Sequence, residues 1–303
     1  MSGETAGRVP GKVAFRAVSA LIVNAFIWGV SWWPMRQLND FGLHPLWAIA
    51  LIYLLVVAGL SVVSPRAWSG LKTHPQLMLL ALAVGTTNIS FNWAVTIGDV
   101  VRVVLLFYLM PAWSVLVAWL MLGEKPTIGS LLRLVIAMAG VLVVLKTPES
   151  AWPIPHGWAD WLAILGGFSF AVTNALLRKY TDARSDSRML AMFGGSGLMA
   201  LSVALAGMSG GLLPGPALQA AGIPLVLTLA LVFMLSNAAL QYGAARLSGS
   251  TTAIVMLTEI LFASVSSVLL GAGVFTPQIF IGGGLIVMAA ALAALAPAGN
   301  SAH

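Results

Sequence analysis

Long apolar stretches separated by short polar ones dominate the chain. Each is long enough for the roughly 20 apolar residues of a membrane-spanning helix, and two are long enough for two helices. The charge-free runs cover 17–35, 41–65, 73–98, 103–123, 161–177 and 189–245, and two more, 128–145 and 247–302, carry one charge each. The two longest divide at Pro214-Gly215-Pro216 and at 271–277. The pattern predicts ten helices that begin near 14–19, 46, 76, 100, 128, 158, 188, 221, 249 and 277.

Composition narrows the class of protein further. Hydrophobic residues make up 59% of the 303-residue chain and charged residues 8%, whereas soluble domains carry about 25% charged residues. This excludes a soluble enzyme, a disordered protein and a nucleic-acid binder, and it makes the lipid bilayer a partner. The net charge of +6 resides in short loops. We expect an all-α integral membrane protein without a cleaved signal peptide.

The basic residues set the expected orientation, because loops on the cytoplasmic side are rich in lysine and arginine. With ten spans, three basic residues fall on the side opposite the N-terminus: Arg36, Arg102 and Lys146. The other 12 fall on the N-terminal side: Arg8, Lys12, Arg16, Arg66, Lys72, Lys125, Arg133, Arg178, Lys179, Arg184, Arg188 and Arg246. Both termini are therefore predicted to be cytoplasmic.

The two halves of the sequence show a weak internal repeat. Residues 28–36, WGVSWWPMR, align with residues 170–178, FAVTNALLR. The fourth predicted span ends in Leu122-Gly123-Glu124 and the ninth in Leu270-Gly271-Ala272. Five helices per half force the second half to enter the membrane from the opposite side, which predicts two inverted repeats. The expected organisation is a cytoplasmic tail (1–13), a first repeat (14–147), a periplasmic linker (148–157), a second repeat (158–296) and a C-terminal tail (297–303).

These features resemble the drug/metabolite transporter superfamily, EamA type, over nearly the whole chain. The resemblance rests on the ten spans, the two five-helix repeats, Trp28-Gly29 and Gly123-Glu124; the second repeat departs from the pattern at Gly271-Ala272. Within the superfamily the chain is most similar to bacterial exporters of aromatic amino acids. The resemblance implies a multi-pass protein of the bacterial inner membrane that exports amino acids or similar small metabolites by alternating access.

Polar side chains inside the spans are the candidate site residues, because burying them in hydrocarbon is costly. Amides can bind the two charged ends of a zwitterion, and aromatic rings can stack on an aromatic substrate. We expect eleven residues to bind substrate: Asn24, Trp28, Asn88, Asn92, Trp93, Tyr108, Asn174, Asn237, Gln241, Tyr242 and Glu259. The alternative for the amides is hydrogen bonding between helices, and for the rings it is ordinary packing.

Glu259 is the one ionisable residue deep in a predicted span. It lies about ten residues into the ninth helix, near the middle of the membrane. Three roles remain open: a carrier of a coupling proton, a partner for a substrate amine, or a buried acid bonded to a neighbouring helix. Asp99 and Arg102 are expected to form an ordinary ion pair at the outer mouth.

Other chemistry finds little support in the sequence. The chain has no cysteine, no acid or histidine pair with metal-ligand spacing, and no phosphate-binding loop motif, so we expect no metal, no cofactor and no enzymatic activity. We expect a monomer rather than a dimer. The alternatives are a carrier of a nucleotide sugar or phosphate ester, which would place lysine or arginine in the core, and a membrane enzyme or scaffold without transport.

Overall fold

The computed structural model describes residues 11–145, 155–272, 274 and 276–295. Ten helices in this part of the chain are long and apolar enough to cross a membrane, which confirms the predicted all-α membrane fold. The helices are α1 (Gly11–Asp40), α2 (Pro45–Val63), α3 (Arg66–Thr73), α4 (Leu77–Ile97), α5 (Val100–Phe107), α6 (Met110–Leu122), α7 (Ile128–Leu145), α8 (Trp158–Lys179), α9 (Ser185–Ser209), α10 (Ile223–Ala244), α11 (Gly249–Met256), α12 (Thr258–Leu269) and α13 (Pro277–Leu295).

The fourth and ninth spans are each broken near the middle, which the apolar pattern does not predict. Helices α5 and α6 form the fourth span and meet at Tyr108 and Leu109. Pro111 lies in the first turn of α6, where its missing N–H is tolerated. Helices α11 and α12 form the ninth span and meet at Leu257. Both interruptions follow a helix of eight residues.

The two broken spans also begin and end alike. At their starts the Asp99 and Ser248 side chains cap the helices, accepting from the backbone N–H three residues on. At their ends Gly123 and Gly271 have φ of 70° and 73°, a left-handed conformation that favours glycine. These correspondences support the repeat inferred from the sequence. The inverted relation and the boundaries at 14–147 and 158–296 stay predictions, and most of the linker and both tails lie outside the described residues.

The packing places the broken spans beside the two helices that carry the sequence repeat. Helix α1 packs against α10 and α12, and α8 packs against α4, α5 and α6. Helix α2 packs on α9, and α7 on α13. In the last of these contacts a Cβ on Gly282 would lie 2.6 Å from the Gly140 carbonyl oxygen, so the glycine-rich start of α13 serves packing within the chain. The space enclosed by these packed helices is a cavity.

Because the spans alternate in direction, their ends define two faces of the molecule. The N-terminal face carries the start of α1 and the ends of α6, α8 and α10; the opposite face carries the end of α1 and the starts of α2, α5 and α8. Helix α3 lies on the N-terminal face, packed against α9. Next to it the Ser64 hydroxyl donates to the Asp186 carboxylate at 2.6 Å. The N-terminal face is the one predicted to be cytoplasmic.

Candidate functional site

A cavity of about 830 Å³ occupies the centre of the helix bundle. At one end it is lined by Arg36 and Asn39 from the end of α1 and by His44 and Pro45 from the start of α2. It therefore opens on the face opposite the N-terminus. Its other end is lined by side chains in the half of the bundle nearer the N-terminal face, including Met192, Leu240 and Met256. Tyr108 and Glu259 line it at the two helix breaks.

Tyr108 and Glu259 bring the two broken spans together at the cavity wall. Tyr108 lies between α5 and α6, and Glu259 is the second residue of α12. The Tyr108 hydroxyl lies next to the Glu259 carboxyl. An acid paired with a hydroxyl rather than with a cation can accept a substrate's ammonium group or hold a proton. The break in each span thus supplies one half of a polar pair.

Glycines let neighbouring helices approach these breaks closely. A Cβ on Gly29 of α1 would lie 2.6 Å from the Glu259 carbonyl oxygen. A Cβ on Gly167 of α8 would lie 2.5 Å from the Phe107 carbonyl oxygen. Real side chains do not tolerate either distance, so both crossings require glycine. The backbone of each break is thereby held against an unbroken helix.

Amides on α4 form a ladder along one wall. The Asn88 Nδ2 donates to the Val84 carbonyl oxygen at 3.0 Å and to the Ser196 hydroxyl at 3.1 Å. The Tyr53 hydroxyl donates to the Asn88 Oδ1 at 3.4 Å, and the Asn92 Nδ2 donates to the Asn88 carbonyl oxygen at 2.7 Å. These bonds orient the amides while both residues line the cavity.

Aromatic rings form much of the remaining wall. Trp28 of α1 stacks on Phe233 of α10, with ring centroids 4.9 Å apart and an interplanar angle of 13°. Tyr53 meets Phe193 edge to face at 5.0 Å, and Phe91 packs against Phe107 at 4.7 Å. All of these rings line the cavity. Such a wall suits an apolar or aromatic group better than a densely charged one.

Seven of the eleven residues singled out from the sequence line the cavity, and four do not. The seven are Asn24, Trp28, Asn88, Asn92, Tyr108, Asn237 and Glu259. Asn24 is fully buried, and its Nδ2 donates to the carbonyl and hydroxyl oxygens of Ser236 at 2.8 and 2.6 Å. Asn24 therefore also links α1 to α10, which agrees with the alternative role of the amides, hydrogen bonding between helices.

The other four residues lie outside the cavity wall. Trp93 packs beside the apolar cluster around α2 and α9. Gln241 is buried; its Nε2 donates to the Asn237 Oδ1 at 2.7 Å, and the Ser185 hydroxyl donates to its Oε1 at 3.1 Å. The Arg246 guanidinium lies over the Tyr242 ring, with its Cζ 3.8 Å from the ring centroid. Asn174 is buried deep in α8.

Sequence reasoning missed several lining residues. Tyr53 was overlooked because the second span was treated as uniformly apolar, although the Tyr53 hydroxyl is a polar group at the middle of that span. Phe91, Phe107 and Phe233 carry no signal that separates a cavity wall from a lipid contact. Arg36 was assigned only to a loop, whereas it lies at the mouth.

The expected ion pair at the outer mouth is wrong in its partner. The Arg102 Nε donates to both carboxylate oxygens of Asp160, at 3.0 and 2.9 Å. Asp99 instead caps α5 by accepting from the Arg102 backbone N–H at 2.8 Å. The pair therefore joins the fourth span to α8 and leaves Asp99 as a helix cap.

Comparison with known proteins finds a family match in the first half of the chain. Residues 15–146 match the EamA-like transporter family. A curated relative, Protein RarD of Streptomyces exfoliatus, is 26% identical over 162 residues. That match covers 50% of this chain and 48% of RarD, so it spans about half the length of the relative.

A solved crystal structure has the same overall fold. It superposes with a TM-score of 0.73 and covers 93% of this chain and 97% of its own. The two sequences are 15% identical, so the likeness concerns the fold. The fold over 93% of this chain thus has a counterpart of known structure.

Proposed function

We propose that this chain is a transporter of the EamA type in the drug/metabolite transporter superfamily, and that it exports amino acids, aromatic ones among them, from the bacterial cytoplasm by alternating access. The cavity of about 830 Å³ between the two broken spans, open on one face, carries the proposal. The family match over residues 15–146 supports it independently. Both termini are proposed to be cytoplasmic, so the cavity opens outward.

The chemistry of the wall supports a zwitterion with an apolar side chain. Glu259 and the amides of Asn88, Asn92 and Asn237 offer acceptors for an ammonium group. The amide N–H groups and Arg36 at the mouth offer donors for a carboxylate. Trp28 and Phe233 offer apolar rings on which an aromatic side chain can pack.

A phosphate ester or nucleotide sugar fits this wall less well. Among the described residues that line the cavity, Arg36 at the mouth is the one side chain with a permanent positive charge. A phosphate deep in the cavity would face Glu259 and aromatic rings instead. Burying a charge without an opposite partner is costly.

Counterflow in proteoliposomes tests the proposal. Vesicles loaded with unlabelled aromatic amino acids are expected to accumulate the labelled amino acid transiently, and Trp28→Ala is expected to reduce that uptake. Trp33→Ala is the matched control, because Trp33 lies on the same helix, is 39% exposed and does not line the cavity. Uptake of a labelled nucleotide sugar, with none of any amino acid, would overturn the assignment of the substrate.

A further inference from the structure

An ion pair closes the bundle on the N-terminal face. The Arg178 Nε at the end of α8 lies 2.8 Å from the Glu124 Oε1, just beyond α6. Arg178 also donates to the Leu247 carbonyl oxygen. The Gly249 backbone N–H, at the start of α11, donates to the Glu124 Oε2 at 3.3 Å. These contacts, which we call the inner gate, join the fourth, sixth and ninth spans where the cavity is closed.

Three buried polar side chains lie between the inner gate and the cavity. Ser114, Asn174 and Thr252 are each 2% exposed or less. Within the described part of the chain, the Ser114 and Thr252 hydroxyls and both polar atoms of the Asn174 amide have no hydrogen-bond partner. Buried polar groups without partners are rare, because they lose their bonds to water and gain none. Their burial therefore needs an explanation.

Helical spacing places all three on the faces that connect the gate with the cavity. On α8, Phe170 and Thr173 line the cavity and Arg178 forms the gate, and Asn174 lies between them on the same face. At 1.5 Å per residue, Asn174 is about 6 Å along the axis from Arg178.

The other two positions follow the same geometry. On the ninth span, Thr252 lies one turn from Gly249 at the gate and one turn from Met256 in the cavity wall. Ser114 lies one turn beyond Met110, which lines the cavity. A Cβ on Gly249 would lie 3.6 Å from the Ser114 carbonyl oxygen, so this part of α6 faces the start of α11.

We propose that Ser114, Asn174 and Thr252 line the inner half of the transport path, which is closed in this state and becomes accessible to water when the inner gate separates. The inference rests on the alternating access proposed above, but not on the identity of the substrate. It explains the orphaned groups as surface that is buried here and exposed in the alternate state, where water or a passing substrate supplies the missing bonds.

The sequence repeat supports the same assignment. Residues 28, 31, 32 and 36 of α1 line the open half of the cavity. Their counterparts in the aligned segment are 170, 173, 174 and 178 of α8. If the halves exchange roles, the face of α8 around Asn174 lines the inner half as the face of α1 lines the outer half now.

Cysteine labelling tests the proposal, because the chain contains no cysteine of its own. Asn174→Cys is expected to react slowly with a maleimide when the inner gate is intact. The reaction is expected to be at least tenfold faster when Glu124→Gln weakens the inner gate. Ala171→Cys is the matched control. Ala171 is 1% exposed on the same helix and packs with Val117 and Ala175, so its reactivity is expected to stay unchanged by Glu124→Gln. Arg178→Gln serves as the gate variant if Glu124→Gln does not fold.

An equal rate for Asn174→Cys with and without the gate, in folded protein, overturns the proposal. A second measurement covers the case in which neither gate variant folds. Asn174→Leu is expected to raise the melting temperature of the purified protein, since it removes two unpaired polar atoms, and to slow exchange of any substrate that the protein carries. A lower melting temperature would show that the amide is structural, and would also overturn it. Failure to transport amino acids leaves these outcomes unaffected, so the two proposals fail separately.

Discussion

Single side chains at the cavity wall give the sharpest tests of the substrate's polar contacts. Asn92→Leu removes an amide from the wall while the backbone of α4 is unchanged. The expected loss is about 1–3 kcal/mol in a desolvated site, which corresponds to about 10- to 100-fold in affinity. Competition of unlabelled substrate in the counterflow assay measures it.

Gln241→Leu is the matched comparison for Asn92→Leu. Gln241 does not line the cavity, but its bond holds the Asn237 amide. Its replacement is therefore expected to lower the melting temperature and to change affinity less than Asn92→Leu does. Equal affinity losses for the two variants would place the substrate contact elsewhere.

Glu259 separates two mechanisms of coupling. Glu259→Gln keeps the shape of the side chain and leaves a polar end next to Tyr108. If Glu259 carries a coupling proton, transport driven by a pH gradient is lost and equilibrium exchange survives. If it binds a substrate amine, both fall together. This is the outcome that we expect, because one acid without a second acid, a histidine or a basic residue beside it, within the described residues of the spans, makes a sparse proton relay. Loss of only the gradient-driven transport would contradict that expectation.

His44 gives the protein a pH-sensitive cap at the mouth. Its Nδ1 accepts from the Leu46 backbone N–H at 3.3 Å, and partial burial lowers the pKa of its imidazole below the ordinary value of 6.5. The unfolded chain then binds the proton more readily, so this contribution to stability is complete above pH 6.5 and is lost as the pH falls through the lowered pKa. His44→Asn keeps a capping oxygen without titrating, and its melting temperature is expected to fall less between pH 7.5 and 5. Equal falls for both proteins would exclude His44 as the cause.

At the scale of helices, the sequence predicts well which membrane-spanning helices exist and where they begin, but not that two of them are broken. Predicted starts at 100, 128, 158, 249 and 277 agree with the structure, because the apolar runs and the charged or glycine residues between them mark the membrane boundary. The breaks at Tyr108 and Leu257 were not predicted, because both spans are long enough to cross a membrane as single apolar runs, although Pro111 and Glu259 lie close to the breaks. Which polar side chain faces the cavity depends on helix rotation, and rotation is set by packing partners distant in sequence. Trp93 and Tyr242 illustrate this limit.

The crossing of α1 over the second break gives a prediction for an element. Gly29→Ala forces a Cβ against the Glu259 carbonyl oxygen, and overpacking of this kind costs about 1–3 kcal/mol. Gly59→Ala in α2 is the control, because a Cβ there meets nothing within 4 Å and alanine favours a helix. Thermal unfolding is expected to show a lower midpoint for Gly29→Ala and an unchanged or higher one for Gly59→Ala. An unchanged unfolding midpoint for Gly29→Ala would mean that α1 is not held against the break.

At the scale of the whole molecule, orientation in the membrane is the prediction with the simplest test. Ser185 and Ser209 are exposed at opposite ends of α9. A cysteine at Ser209 is expected to label with an impermeant reagent from outside intact cells, and one at Ser185 only after permeabilisation. Ser150, an equivalent outer position by sequence, lies outside the described residues. The reverse labelling would invert the topology and with it the direction in which the cavity opens.

The ion pair between Glu124 and Arg178 has a consequence for the balance between conformations. Two like halves that exchange roles give end states of equal free energy, except where the halves differ in sequence. Arg178 has Glu124 as its partner at one end, whereas at the other end Arg36 corresponds to Arg178 and Ala272 corresponds to Glu124. Under the alternating access proposed above, this pair is expected to favour the conformation described here. Ala272→Glu, which places an acid at the position that corresponds to Glu124, is expected to shift the equilibrium toward the opposite conformation.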